Sequence, residues 1–437
     1  MMLRVLAIFV LLAAVAPERA QAQLRGHGGP VRALAISPDG TQALSGSFDT
    51  SVIRWSLQRN AAEQVLRFHD GAVNAVAFLP DGRIATSGED ARIAIWRPGE
   101  PQPAMVLEGH TAPVVALAVS RDGATLASAS WDHTARLWPL AGGAPRVIEG
   151  HTQNVNGVAF TVDGRALVTV GYDATLRVTP LGDDGGGGPI VTTLPAPLNT
   201  VAVALDGEIV TAGADGKVYV LSATGELNGE VEAAQTPIIA VALSPDGRLI
   251  AAAGIRGSVA IIDRAARKLE RTLVGPGLPV WSAAFFPDGR TLLTGGADRM
   301  IRRWDAVSGE PVGNVVLGTP EDPLAAFAGD AGAEVFRACV ACHTLSAEEG
   351  PRAGPTLAGI FGRKIATLPG YNFSDALKTL NIVWTPETVS KLFELGPMTY
   401  TPGTKMPEQR IGSAEDRAAL MGFLEKTTKF QGERAPK

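Results

Sequence analysis

Cysteine is nearly absent from this chain. The 437 residues hold two, Cys339 and Cys342, so no disulfide framework can staple distant segments together. Stability must come from apolar cores and backbone ladders. An excess of positive charge is also missing. Lys and Arg total 39 against 44 Asp and Glu, a formal net charge of −5, which argues against nucleic acid or an anionic membrane surface as partner. Histidine is scarce, six residues in all, so clusters of several histidine ligands are hard to assemble. Apolar runs long enough to span a bilayer are lacking too. The longest candidate, Val5 to Ala16, is twelve residues and too short for an anchor. It follows Arg4 and precedes Ala20-Gln21-Ala22, a small-x-small ending, so residues 1–22 read as a secretory signal cleaved after Ala22. A retained anchor is the weaker alternative. No stable membrane insertion is expected after cleavage.

The two cysteines sit in Cys339-Val340-Ala341-Cys342-His343. Two cysteines three apart on one helical turn can form thioethers to the two vinyl groups of a haem. The histidine directly after the second lies where its ring can reach the iron. The spacing reads as a c-type haem attachment site. A thioredoxin-like redox pair and half of a zinc site share the Cys-x-x-Cys pattern. Zinc needs two further ligands, and the chain has no second cysteine pair and, His343 aside, no histidine after His151. A thioredoxin-like pair requires a preceding strand in a βαβ unit, which the sequence does not show.

Downstream come Gly354-Pro355-Thr356-Leu357-Ala358-Gly359, Phe361-Gly362-Arg363-Lys364, Trp384 and Pro402-Gly403-Thr404-Lys405-Met406-Pro407. In that order, from about Ala325 to Phe430, the chain resembles class I cytochrome c, the one-haem electron carriers. The resemblance implies His343 as proximal and Met406 as distal iron ligand. It implies that the Pro355 carbonyl orients the histidine and that Arg363 and Trp384 hold a haem propionate. A histidine nitrogen and a soft thioether suit haem iron, and this ligation raises the reduction potential. Met398, beside Pro397, is the rival for the distal position. Phe373 and Phe393 stand where the family often has tyrosines, and Leu377 where it often has asparagine. The polar networks those residues build are not expected here.

From His27 to about Leu317 the chain repeats. An Asp-Gly dipeptide recurs at Asp39, Asp81, Asp122, Asp163, Asp206, Asp246 and Asp288. A second marker recurs at Asp49, Asp90, Asp132, Asp173, Asp215, Arg256 and Asp298, spaced 41 or 42 residues apart. Six residues after each marker stand Trp55, Trp96, Trp138, Thr179, Leu221, Ile262 and Trp304. Short β-rich runs between Asp-Gly turns are hairpin meanders, and this period is that of four-stranded propeller blades. Seven copies predict seven blades. This part resembles the WD-repeat family. The resemblance implies a buried histidine, hydroxyl, aspartate and tryptophan network: His27, Ser45, Asp49 and Trp55 in blade one, His69, Thr86, Asp90 and Trp96 in blade two, and His110, Ser128, Asp132 and Trp138 in blade three. Blade four keeps His151, Thr169 and Asp173 without the tryptophan. Blades five and six are divergent, and blade seven keeps Thr294, Asp298 and Trp304 without a histidine. The divergent blades are expected to open more easily, each lost network removing about 1 kcal/mol or more of local stability. His133, the one histidine outside these networks and the haem motif, reads as a solvated turn residue. Gly185 to Gly188 reads as a loop on the edge of blade four.

The expected organisation is multidomain: signal peptide 1–22, an all-β seven-bladed WD-repeat propeller 23–318, a linker 319–324 and an all-α class I cytochrome c domain 325–437. Pro311 to Leu317 is favoured over the N-terminus as the outer strand that closes blade seven. The first helix of the second domain is expected over Pro323 to Ala338, and the last is expected to be capped by Ser413 and to pack across the first. The functional expectation is a periplasmic, monomeric carrier of one electron with one covalent haem c. Its propeller would be a docking platform for a redox partner protein, which binds there or at the haem edge. An enzyme resembling propeller-containing nitrite reductases and a haem-based redox or gas sensor are the alternatives. With both axial positions filled, an enzymatic role is not expected.

Overall fold

A computed structural model describes residues 23–182, 188–274, 278–313, 324–337, 339–340, 343–346, 354–369, 371, 373, 375–402, 404, 406 and 410–428. The expected signal peptide 1–22, most of the linker (319–323), Cys342, Lys405 and most of the glycine run at 185–188 lie outside them. Among the described residues, seven four-stranded antiparallel sheets follow one another, as the repeat count predicts. Blade one comprises strands Val31–Ile36, Gln42–Ser47, Ser51–Ser56 and Ala61–Arg67.

The repeat markers are turn devices. In each Asp-Gly turn the carboxylate accepts the backbone N–H two residues on, as at Asp122–Ala124 (3.0 Å) and Asp163–Arg165 (3.0 Å). The following glycine takes a left-handed conformation, φ +70° at Gly123, which costs it nothing sterically. At the second marker the aspartate accepts in the same way, from Ser51, Arg92, Thr134 and Thr175 in blades one to four. His133 occupies the left-handed position of that turn in blade three, φ 70°, and is exposed, the solvated turn residue anticipated.

The buried networks form as the repeat predicts. In blade three His110 Nδ1 lies 2.7 Å from Asp132 and its Nε2 2.7 Å from Ser128 Oγ, while Trp138 Nε1 donates to the same hydroxyl at 2.8 Å. Blades one and two repeat this arrangement, and blade four has it without the indole. Blade five, read as divergent, and blade seven, read as lacking a histidine, carry substitutes. In blade five the Tyr219 hydroxyl donates to Asp215, and in blade seven Arg302 pairs with Asp298 in a fully buried contact. In blade six the hydroxyl position is Ala252 and the marker Arg256 is exposed. Replacing both partners of a buried pair by apolar groups is close to neutral. The expected weakness of the divergent blades is therefore narrowed by these replacements.

Blade seven corrects the expected closure. Its outer strand is Gln23–Arg25, antiparallel to Met300–Arg302. Leu24 is 2% exposed and packs with Ile53, Trp55 and Ile301, so the chain's first described strand joins the blade one–blade seven core. Pro311 makes an isolated bridge to Trp304, flanked by backbone bonds from Val312 N to Arg303 O (3.0 Å) and from Asp305 N to Glu310 O (2.9 Å), and residues 314–317 lie outside the described ones.

The second domain has its own core, built around Phe336, Leu392, Phe393, Leu420 and Phe423. Leu324, assigned by sequence to the linker, is 1% exposed within that core. The expected helix over 323–338 is shorter. A 3₁₀ turn at Ala325–Phe327 ends at Gly329 (φ +86°), and α1 runs Ala331–Phe336 from its N-cap Asp330, whose carboxylate accepts from Gly332 and Ala333. Then come α2 (Asp375–Lys378), α3 (Pro386–Leu395), α4 (Pro397–Tyr400) and α5 (Ala414–Thr427). Ser413 caps α5 as predicted, accepting from Asp416 N at 3.1 Å. Helices α1 and α5 cross at Gly332, where a side-chain carbon would lie 2.2 Å from Ala419 O, and Phe336 and Phe423 meet at 5.5 Å. Among the described residues, no helix is long and apolar enough to cross a membrane.

Candidate haem site

The second domain folds around a cleft that opens to solvent. Its walls are mostly apolar: Phe336 from α1, Leu392 and Phe393 from α3, Leu420 and Leu424 from α5. Thr385 caps α3 with a reciprocal Thr385–Thr388 box and Pro386 in its first turn, which fixes where Val389, Leu392 and Phe393 face.

Cys339, His343, Pro355, Arg363, Trp384 and Met406 all line this one cleft. Cys339 is 7% exposed, at the end of the turn that follows α1, with its N–H bonded to Phe336 O at 2.7 Å. His343 is next: its N–H reaches Cys339 O at 3.0 Å, and its Nδ1 lies 2.7 Å from the Pro355 carbonyl. That carbonyl fixes the ring orientation and leaves Nε2 as the ligand nitrogen. The ring is cradled so closely that a side-chain carbon on Gly354 would lie 2.5 Å from His343 Cε1. Only glycine fits there.

Arg363 and Trp384 are 21 residues apart and are joined by backbone bonds: Trp384 N to Arg363 O at 3.0 Å and Gly362 N to Trp384 O at 2.8 Å. Arg363 Nη2 also donates to Thr356 O at 3.1 Å, and partial burial lowers its pKa below the ordinary arginine value. The Trp384 indole N–H has no hydrogen-bond partner among the described residues and stays available to an acceptor in the cleft. Met406 follows α4 and packs against the core, its N–H bonded to Thr404 Oγ1 at 3.1 Å. Met398, the rival ligand, lies in α4, and its side chain is outside the described ones. Phe373, Phe393 and Leu377 also line the cleft, so apolar groups stand where the family often places polar ones.

The donor set fits haem c: a buried cysteine, an oriented imidazole, a thioether in a loop, a glycine cradle and an apolar slot with an unpartnered indole N–H. Among the lining residues that sequence reasoning did not assign to the site is Arg67, which belongs to the propeller.

Residues 329–428 match the cytochrome c family. Residues 19–56, 61–97, 101–139, 143–179 and 267–305 match the WD domain, G-beta repeat family. The gap after 179 coincides with the divergent blades five and six. The chain is similar to cytochrome c of Cochliobolus lunatus, 44% identical over 104 residues, which is 23% of this chain and 95% of that protein. It is also 44% identical over 104 residues to cytochrome c of Arabidopsis thaliana, covering 23% of this chain and 92% of that protein. Against cytochrome c type-1 of Ascaris suum it is 40% identical over 113 residues, 25% of this chain and 96% of that protein.

Proposed function

The chain belongs to the cytochrome c family through residues 329–428, and on that premise we propose that it is an exported, periplasmic carrier of one electron whose WD-repeat propeller docks its redox partner. Bound haem c supplies exchange of a single electron between Fe(III) and Fe(II). The chain's residues hold and tune that centre. Cys339 and Cys342 anchor it through thioethers. His343, aimed by the Pro355 carbonyl, and Met406 would both hold the iron, which would leave it no coordination position for a substrate. The walls of α1, α3 and α5 keep water away and limit reorganisation when the charge changes. The observation that carries the carrier role is the convergence of Cys339, His343 and Met406 on one apolar cleft.

The docking role rests on the propeller's surface. The residue just before the second repeat marker is aromatic and exposed in three blades: Phe48 (41%), Trp131 (39%) and Tyr172 (40%). Those turns all join the second and third strands of their blades, so they open on one face. Trp281 joins them, stacking on Phe48 at 4.7 Å. Exposed aromatics on one face are what a protein partner recognises. By contrast, residues 330–437 carry 13 basic and 12 acidic side chains, too balanced to steer a partner by charge. Export is supported by the signal-like segment 1–22 and by the site of c-type haem attachment in bacteria, outside the cytoplasm by family analogy.

The test compares electron exchange with the native partner at low micromolar concentration for the full chain and for residues 325–437. The relatives show that a chain of this length stands alone as a cytochrome c. A propeller bound to the partner would hold the haem on a short tether at an effective concentration on the order of millimolar. The full chain should be much faster and only modestly sensitive to salt. Equal rates would refute the docking role. Fractionation and N-terminal sequencing test export; the expected first residue is Gln23.

A further inference from the structure

Among the residues lining the haem cleft, one comes from the other domain. Arg67 ends the outer strand of blade one, Ala61–Arg67, and its side chain lines the cleft together with Arg363, Phe373 and Leu377. Its Nη1 donates to the backbone carbonyl of Asp49 at 3.1 Å, which ties it to the turn that carries blade one's buried aspartate. That is its only hydrogen bond among the described residues, and no carboxylate there lies within ion-pair distance of it. A guanidinium has five N–H donors. Most of those on Arg67 are uncommitted, and the side chain is only half-buried.

The haem domain's own walls bring a single arginine to the cleft, Arg363. Haem c brings two carboxylates, and burying one without a partner is costly. On the domain's own walls the polar groups are Arg363, already bonded to Thr356 O, the Trp384 indole, Tyr371, Thr367, Thr401 and Thr404. Lys364 also lines the cleft but is exposed to water. Phe373 and Leu377 offer no polar atom. Haem c carries two carboxylates while Arg363 is the one guanidinium those walls bring to the cleft lining, and Arg67 supplies a second planar, permanently charged donor set.

We propose that Arg67 of blade one pairs with a haem propionate, so that the propeller completes the haem site and sets its reduction potential. The charge argument gives the direction. A cation beside the propionate offsets negative charge near the iron and disfavours Fe(III), so Arg67 raises the potential. It also stabilises the ionised propionate, so the propionate titrates at lower pH. Arg67 is a positioning residue and exchanges no electron itself. The proposal requires haem c and does not depend on the docking role, because no partner enters the measurement.

The test is the midpoint potential of the full-length holoprotein as a function of pH. Arg67→Gln should lower the potential. It should also move upward in pH the step at which the potential falls as the propionate deprotonates. Arg67→Lys, which keeps the charge, should recover most of both effects. Arg59→Gln, an exposed arginine paired with Glu63 on the same sheet and absent from the cleft, should change neither. The far-red sulfur–iron absorption and the propeller's thermal unfolding report whether the variants are folded. Should Arg67→Gln fail to fold, Arg67→Met keeps the aliphatic stem and removes the charge. A purely structural Arg67 would lower the unfolding temperature and leave the potential and its pH step in place. Unchanged potential and pH step in a folded neutral variant, or an equal change in Arg59→Gln, would overturn the proposal.

Discussion

Gly354→Ala probes how tightly the protein holds its haem ligand. The added carbon would lie 2.5 Å from His343 Cε1, 2.8 Å from Nδ1 and 2.9 Å from Nε2. Three ring atoms inside contact distance mean the whole imidazole must shift, not one flexible tip. The ring has little room, because its Nδ1 is held by the Pro355 carbonyl at 2.7 Å on the next residue along the chain. Either the ring turns and loses that bond, or residues 354–355 move and carry the carbonyl with them. Overpacking of this kind costs about 1–3 kcal/mol, and the weakened hydrogen bond adds about 1 kcal/mol. For a domain of this size each kcal/mol moves the unfolding midpoint by roughly 4–8 °C, so a fall on the order of 10–20 °C is expected. The assay is thermal unfolding of the holoprotein followed at the Soret band. The propeller transition, followed by far-ultraviolet circular dichroism, should stay where it is. A variant whose haem-domain midpoint falls by less than about 2 °C would refute the claim that Gly354 is required by close approach to the ring.

Haem should run with the chain on denaturing gels stained for peroxidase activity, and Cys339→Ser with Cys342→Ser should abolish the band; haem retained by that double variant would place the attachment elsewhere. Met406→Ala should remove the far-red sulfur–iron absorption of the oxidised protein and lower its potential, whereas Met398→Ala should change neither; the reverse pattern would reassign the distal ligand. Asp90 is desolvated, which alone would raise its pKa, but its hydrogen bond to His69, the attraction between them and the backbone N–H groups of Arg92 and Asp70 outweigh that and hold it at about 2. Its contribution of about 2 kcal/mol is present above the unfolded carboxylate value and is lost as pH falls through about 2. Asp90→Asn should therefore destabilise the propeller at pH 6 and progressively less toward pH 2 in thermal unfolding, and a pH-independent difference would count against the ionised pair.

The blade count was legible because an Asp-Gly turn recurs in all seven blades and a second aspartate turn in six of them at a fixed interval, and both do local work: the carboxylate closes the turn on its own backbone two residues on. Such short-range chemistry leaves a mark in sequence. Closure of the ring left none. Gln23–Arg25 is three residues with no turn signal, and its role follows from Leu24 filling a gap between Trp55 and Ile301, residues far apart in the chain. Tyr219 and Arg302 were likewise invisible as network members. Each sits four residues after its marker aspartate, on the third strand, where a histidine from the preceding loop was the only partner the repeat suggested. The haem ligands were legible because covalent attachment demands fixed spacing, while the short first helix of that domain depended on Gly329 and Asp330, whose backbone angles the apolar pattern does not carry.

Arg67 illustrates the remaining gap, and it bears on why the two domains share one chain. It stands 272 residues before Cys339, in a strand whose sequence reads as an ordinary blade edge. Only the fold brings its guanidinium to the haem cleft. A free-standing carrier tunes its centre with its own side chains, and the apolar Phe373 and Leu377 show that this domain does so sparingly. Lending that task to blade one ties the haem's environment to the same blade that presents Phe48 on the aromatic face. Phe48 directly precedes Asp49, whose carbonyl holds Arg67. On the proposed docking role, a partner pressing on Phe48 would act on the turn that positions the arginine. Docking and tuning would then be coupled through one backbone segment, with a definite sign. If partner binding draws Arg67 away from the cleft, the potential falls and the bound carrier becomes the better electron donor. If it presses Arg67 inward, the potential rises and the carrier becomes the better acceptor. The direction of the shift on partner binding, measured in wild type and abolished in Arg67→Gln, would reveal which way electrons are meant to flow.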